Sequence, residues 1–153
     1  MEHERMDLER HLDATRVIDL NARTKDEALA ELIEAVAASP AVEDPEALLR
    51  AVREREKLLS TGIGLGIAIP HACIPSVNDF VVAVGRRRDG IDFGSIDGRP
   101  AQIVVLIAGP QDAQKSYLEL LAQLSKRLKL EDVRQQVVGD ATPEEVVGLL
   151  VKK

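Results

Sequence analysis

A chain of 153 residues, 45% of them apolar and 30% charged, is long enough to bury a core and too apolar to stay disordered, so a single domain over residues 1–153 is expected. A net charge of −6, with two Phe, one Tyr and no Trp, repels phosphate backbones and provides no surface for stacking bases, which argues against nucleic-acid binding. No apolar run approaches a membrane span, the N-terminus has no apolar signal segment, and the single cysteine, Cys73, cannot pair within the chain; a cytoplasmic protein without membrane insertion is expected.

In chain order, residues 1–15 are mostly polar and charged, with Leu8 and Leu12 able to supply one amphipathic turn, and a mobile start is expected, above all over residues 1–6. Val17-Ile18-Asp19-Leu20 reads as a short strand. Thr24-Lys25-Asp26-Glu27 has capping-box spacing ahead of a helix that buries Leu29, Leu32, Ile33 and Val36. Asp44-Pro45 starts a second helix with Leu48, Leu49 and Val52 inward and a charged last turn over Arg53 to Lys57. After a glycine-rich stretch, residues 74–78 read as a loop and Phe80 to Val84 as a strand. Asp89-Gly90 and Asp97-Gly98 read as turns between short extended pieces, one of them Ile91-Asp92-Phe93, and imply antiparallel neighbours. Gln102 to Ala108 is a continuous aliphatic run expected of a central strand, closed by Gly109-Pro110. Leu118, Leu121, Leu124 and Leu128 then mark a long amphipathic helix with Tyr117 in its first turns; a shorter helix over Glu131 to Val138 and a capping box at Thr142-Pro143-Glu144-Glu145 follow. Strands interspersed with helices make an α/β fold, a mixed β-sheet flanked by helices.

The chemistry concentrates in Ser60 to Ala72. Glycines 62, 64 and 66 alternate with Ile63, Leu65 and Ile67, so the backbone there can approach another group closely and offer N–H donors to an anion. Pro70 restrains its own φ and biases Ile69 toward an extended form, so His71 leaves an extended segment in a defined direction. A neutral imidazole is a good nucleophile toward phosphorus, and phosphoryl transfer needs donors and a cation around it. Ser60 and Thr61 supply hydroxyls, and Arg53 and Arg55 supply guanidinium groups able to hold phosphate oxygens bidentately. The residues alone leave a second reading of His71 open, that of a satisfied, partly buried histidine. G-x-G-x-x-G fails at Ile67 and Ile69, a metal held by His71 and Cys73 finds its other histidines only at His3 and His11, and Cys73 is read as an inert thiol; no cofactor or metal is expected.

Arg55-Glu56, then Ser60-Thr61-Gly62-Ile63-Gly64, then Gly66-Ile67-Ala68-Ile69-Pro70-His71 resembles the signature of the type 2 IIA domain of the phosphoenolpyruvate-dependent sugar phosphotransferase system, in its fructose, mannitol and nitrogen-regulatory branch. The likeness extends to Lys25-Asp26-Glu27-Ala28-Leu29, to Phe93 to Pro100 and to the leucine-rich helix after Pro110. It implies the mannitol/fructose-type IIA architecture and a phosphohistidine carrier, with His71 accepting a phosphoryl group from an HPr-like phosphocarrier protein. The group would pass to a IIB domain and a sugar, or its presence would regulate other proteins. The resemblance also implies that Arg55, Ser60 and Thr61 bind or support the phosphate. A second family histidine is matched here by Tyr117, which can hydrogen-bond but cannot become a cation near neutral pH. That departure keeps a second expectation in view, a non-catalytic regulatory module that has kept the fold and controls a transporter or kinase; Leu65 and Cys73, at unusual places, make the rim more apolar and bear on partner choice.

Overall fold

The computed structural model describes residues 6–152, so the mobility expected of residues 1–5 lies outside the described residues. From Met6 onward the polar start is held: the Met6 N–H donates to Glu119 Oε2 at 3.0 Å and the Leu8 N–H to Gln123 Oε1 at 2.9 Å. A 3-10 turn over Leu8–Arg10 leads into strand β1, Leu12–Asp19. The expectation of a mobile start through residue 15 is corrected accordingly, and the first strand begins at Leu12 rather than Val17. Its polar composition misleads because β1 lies at the border of the sheet, burying Leu12 and Val17 while Asp13 and Thr15 face solvent.

Helix α1, Lys25–Ala37, opens with both halves of its capping box formed, and α2, Pro45–Leu58, is capped by Asp44, whose Oδ1 accepts the Ala47 N–H at 3.1 Å. The glycine stretch is a small hairpin of β2, Gly62–Gly64, and β3, Ile67–Ala68, followed by β4, His71–Ile74. Strands β5, Val81–Ile91, and β6, Ala101–Pro110, precede helices α3, Gln114–Leu128, α4, Glu131–Val138, and α5, Pro143–Val151.

The sheet is mixed, in the order β1-β5-β6-β3-β2, and β6 is its centre. It pairs antiparallel with β5 along one side, while on the other side β3 and then β4 pair parallel to it, β3 at Ile103 and Val104, β4 from Ile107 to Pro110. One long strand is thus served by two short ones with Ile69 and Pro70 between them. The turn expected at Asp89-Gly90 is corrected: β5 runs through it. Gly90 has φ +80°, the pairing with β6 shifts register there, and a Cβ at this position would stand 2.6 Å from the Pro100 Cβ. A glycine that reads as a hairpin turn therefore makes a bulge.

Alternation along β5 and β6 divides the core in two. Val81, Ala83, Val104 and Leu106 pack under α1 and α2 with Leu29, Leu32, Leu48 and Val52. Val82, Val84, Val105 and Ile107 pack under α3, α4 and α5 with Leu120, Leu124, Val133 and Leu150. The buried stripe of α3 is Tyr117, Leu120, Leu124 and Leu128; Leu118, expected inside, is 57% exposed. Both sets have helical spacing, and the tyrosine takes the inward place.

Candidate functional site

His71 opens β4, paired with Ile107, on the face of the sheet covered by α3. Ala72 points to the α1/α2 core, whereas Cys73 shares the side of His71. Across this face the first turn of α3 presents Tyr117. The two rings stack with centroids 4.5 Å apart at an interplanar angle of 29°, and Tyr117 Oη lies 3.1 Å from His71 Nδ1. The same nitrogen is 3.1 Å from the Ile69 carbonyl oxygen. A carbonyl can only accept, so Nδ1 carries the proton and donates it, and the lone pair is on Nε2. The nitrogen the sequence leaves open is thereby assigned by the hydrogen bond that its neighbour makes.

Burial lowers the His71 pKa below the ordinary 6.5, against the opposing pull of the Ile69 carbonyl; the Arg55 guanidinium lowers it further and the Glu56 carboxylate opposes. The imidazole is therefore neutral at pH 7. Tyr117, buried beside it, is pushed up to about 12 by desolvation, partly offset by Arg55, and stays a neutral phenol. The Cys73 thiol is likewise raised by burial and stays protonated. A histidine with a lowered folded-state pKa takes up its proton more readily when unfolded. The stability that a neutral His71 preserves is present in full above pH 6.5 and is lost as pH falls from there through the lowered folded-state pKa. Urea titrations of the native chain and His71→Gln between pH 5 and 8 are expected to converge on acidification; parallel curves would contradict this reading of the site.

Arg55, in the last turn of α2, spends Nη1 on the Leu59 carbonyl at 3.2 Å and lies near enough to act electrostatically on both His71 and Tyr117. Arg53 does not join it, forming a two-point ion pair with Asp26 on α1, Nε to Oδ1 at 2.7 Å and Nη2 to Oδ2 at 3.0 Å. Ser60 and Thr61 hold the entry to the hairpin. Ser60 Oγ donates to the Phe93 carbonyl and accepts the Gly62 N–H at 3.0 Å. Thr61 Oγ donates to Glu56, and its N–H lies 3.2 Å from Glu56 Oε1. Both hydroxyls are committed to the protein itself.

The close approach expected of the glycines is made to the segment over residues 95–97. A Cβ on Gly62 would stand 2.2 Å from Ser95 Oγ and one on Gly64 3.1 Å from Asp97 Oδ2, whose carboxylate also accepts the Leu65 N–H at 3.0 Å. With glycines inward, Ile63 and Leu65 are turned to solvent, 51% and 45% exposed. Leu58 and Leu59 at the end of α2, Ile96 in the facing loop and Leu118 beside Tyr117 are also exposed.

Sequence reasoning passed over Glu56. It is buried and binds Thr61 and the Lys25 ammonium, Nζ to Oε2 at 2.7 Å, while Lys25 also lies over the Phe93 ring, 5.3 Å from its centroid. The signal was in the spacing: Leu48, Val52 and Glu56 recur every fourth residue on the inward stripe of α2. No group of three His, Cys, Asp or Glu able to hold a metal ion occurs among the described residues, and none of their helices is long and apolar enough to cross a membrane.

Comparison with known proteins gives the following matches. The family described as "Phosphoenolpyruvate-dependent sugar phosphotransferase system, EIIA 2" matches residues 11–153. The chain is 34% identical over 133 residues to the PTS system fructose-specific EIIABC component of Bacillus subtilis, an alignment that covers 87% of this chain and only 21% of that longer relative. It is 35% identical over 129 residues to the PTS system fructose-specific EIIA component of Haloferax volcanii, with 84% of each covered. Among solved structures, the nitrogen regulatory protein IIA-Ntr from Neisseria meningitidis matches with a TM-score of 0.87 at 25% identity, covering 94% of this chain and 98% of that one. The Escherichia coli enzyme IIA mannitol, solved in complex with phosphorylated enzyme IIB mannitol, matches with a TM-score of 0.78 at 27% identity, covering 91% and 96%.

Proposed function

Because the chain belongs to the type 2 EIIA family of the phosphoenolpyruvate-dependent sugar phosphotransferase system, we propose that it is a cytoplasmic phosphohistidine carrier, loaded on His71 by an HPr-like phosphocarrier protein. The observation that carries this reading is the fixed tautomer: Nδ1–H is held by the Ile69 carbonyl, which leaves Nε2 as a neutral nucleophile. Nε2 attacks the phosphorus of the donor's phosphohistidine, a new N–P bond forms, and the donor's N–P bond breaks with its electron pair leaving on the donor imidazole. The Nδ1 proton stays in place, so the His71 ring becomes an imidazolium bearing a dianionic phosphoryl group. Arg55 is the cation that meets the phosphoryl oxygens, Tyr117 orients the ring, and Ser60 and Thr61 support the site by fixing the hairpin beside it.

The exposed Leu58, Leu59, Ile63, Leu65, Ile96 and Leu118 are the face on which the donor docks. The same face serves the next acceptor, a IIB domain, as the E. coli IIA mannitol enzyme is solved with phosphorylated IIB. A regulated transporter or kinase would take that place if this chain follows its nitrogen-regulatory relatives. Incubation with phosphoenolpyruvate, enzyme I and HPr, followed by intact-mass measurement and peptide mapping, is expected to place one acid-labile phosphoryl group on the His71 peptide. No adduct, with donors proven active on a control IIA domain, would overturn the carrier and leave the regulatory binding module.

A further inference from the structure

We infer that Tyr117 stabilises the loaded state through the face of its ring, on which the His71 imidazolium rests as a cation. The inference rests on the carrier reading above and goes beyond orientation of the imidazole. It begins with what surrounds a positive charge on that ring. From α2 come Arg55, which repels it, and Glu56, whose carboxylate is bound by Lys25 at 2.7 Å and by Thr61. From β4 comes the Cys73 thiol, kept neutral by burial. From α3 comes the Tyr117 hydroxyl, neutral at any physiological pH. Apart from the Ile69 carbonyl at one edge, no side chain in this set offers the ring an uncommitted negative charge.

What α3 does offer is the electron-rich face of an aromatic ring. With centroids 4.5 Å apart and planes within 29° of parallel, the imidazole lies inside the distance at which a cation is attracted by the quadrupole of tyrosine. Desolvation strengthens that attraction, and here the Tyr117 ring is buried and the imidazole half-buried. The hydroxyl is secondary, because the Nδ1 proton already has the Ile69 carbonyl as an acceptor. A tyrosine at this position offers the loaded ring a face that tolerates positive charge and, as a phenol, brings no cation to join Arg55.

The test compares native chain, Tyr117→Phe, Tyr117→Leu and Tyr117→Met, the last a flexible side chain that fills the same space. His71 titration is followed by NMR of its ring protons, assigned against His71→Gln, and the phosphoryl equilibrium with HPr is measured by intact mass. Tyr117→Phe, which keeps the ring face and loses the hydroxyl contact to Nδ1, is expected to depart from the native chain in both readouts by less than the Leu and Met variants do. Tyr117→Leu and Tyr117→Met are expected to lower the His71 pKa by roughly half to one unit and the loaded fraction relative to HPr by about three- to tenfold. Unchanged values in the Leu and Met variants would overturn the inference, as would a Phe variant as impaired as they are, which would assign the effect to the hydroxyl. Titration needs no phosphodonor: if no variant, native included, is loaded, the carrier reading falls while the titration still decides whether the ring face holds the cation.

Discussion

His71→Ala is expected to accept no phosphoryl group under conditions that load the native chain fully, while remaining folded. Loss of acceptance follows from chemistry, because the nucleophilic lone pair is removed and nothing beside it replaces it. Cys73 is held as a thiol by burial and Tyr117 as a phenol, with its pKa about 12. The chain has two other histidines, and the described one, His11, is buried with Nδ1 3.0 Å from the Phe80 carbonyl. Folding survives because the side chain gives up little: one neutral hydrogen bond, worth about 1 kcal/mol, and one ring stack, worth about 0.5–1.5 kcal/mol. A midpoint shift in urea that corresponds to no more than about 2–3 kcal/mol is expected alongside complete loss of the mass adduct. Retained loading would move the acceptor away from His71.

Glu56→Ala is expected to destabilise the fold by about 1–3 kcal/mol for each Thr61 donor left without its buried acceptor, while Lys25, 29% exposed, turns to water. Lys25 would lose its partner at 2.7 Å, and Thr61 would lose the acceptor for both its hydroxyl and its N–H. Three segments meet on this carboxylate, the start of α1, the end of α2 and the residue that leads into the hairpin. Glu56→Gln keeps one acceptor oxygen for Thr61 and is expected to lose less, with the difference reporting the charge on Lys25. Denaturant midpoints of the two variants check the order; equal and small losses would show that the carboxylate is solvated rather than structural. Because Thr61 leads into the hairpin that precedes His71, the alanine variant is also expected to load more slowly than the native chain.

Much of the fold was legible because it is written locally. The capping boxes at Thr24 and Thr142 form as their spacing implies, and the aliphatic run of β6 becomes the centre of the sheet. Signals that have two local solutions were the ones misread. A glycine after aspartate serves a turn or a bulge equally well, and only Pro100 on the partner strand decides it at Gly90. The polar start of β1 looks unstructured because a border strand needs only two buried residues to belong to the sheet. At the candidate site, the signature pointed to His71, Arg55 and the hairpin, but the assignment of the proton needed the Ile69 carbonyl in space. The stacked pair comes from residues 46 apart, joined only through the register of β4 on β6. Ser60 and Thr61 could be named but not assigned, because their partners, Phe93 and Glu56, lie in a distant segment and in what reads as a charged last turn.

The division of labour between β3 and β4 along one side of β6 bears on how visitors leave. An unbroken exposed strand invites another chain to add on through its backbone, a contact that is slow to release and that leads to self-association. Here the strand that carries His71 is four residues long, flanked by Pro70 and Pro75, neither of which has an N–H to donate, and among the described strands it pairs with β6 alone. A partner docking as proposed would find leucine and isoleucine side chains to rest on and little ladder to extend. Recognition by side chains without backbone zippering favours brief encounters, which suits the proposed carrier, whose phosphoryl group would be handed on at each meeting.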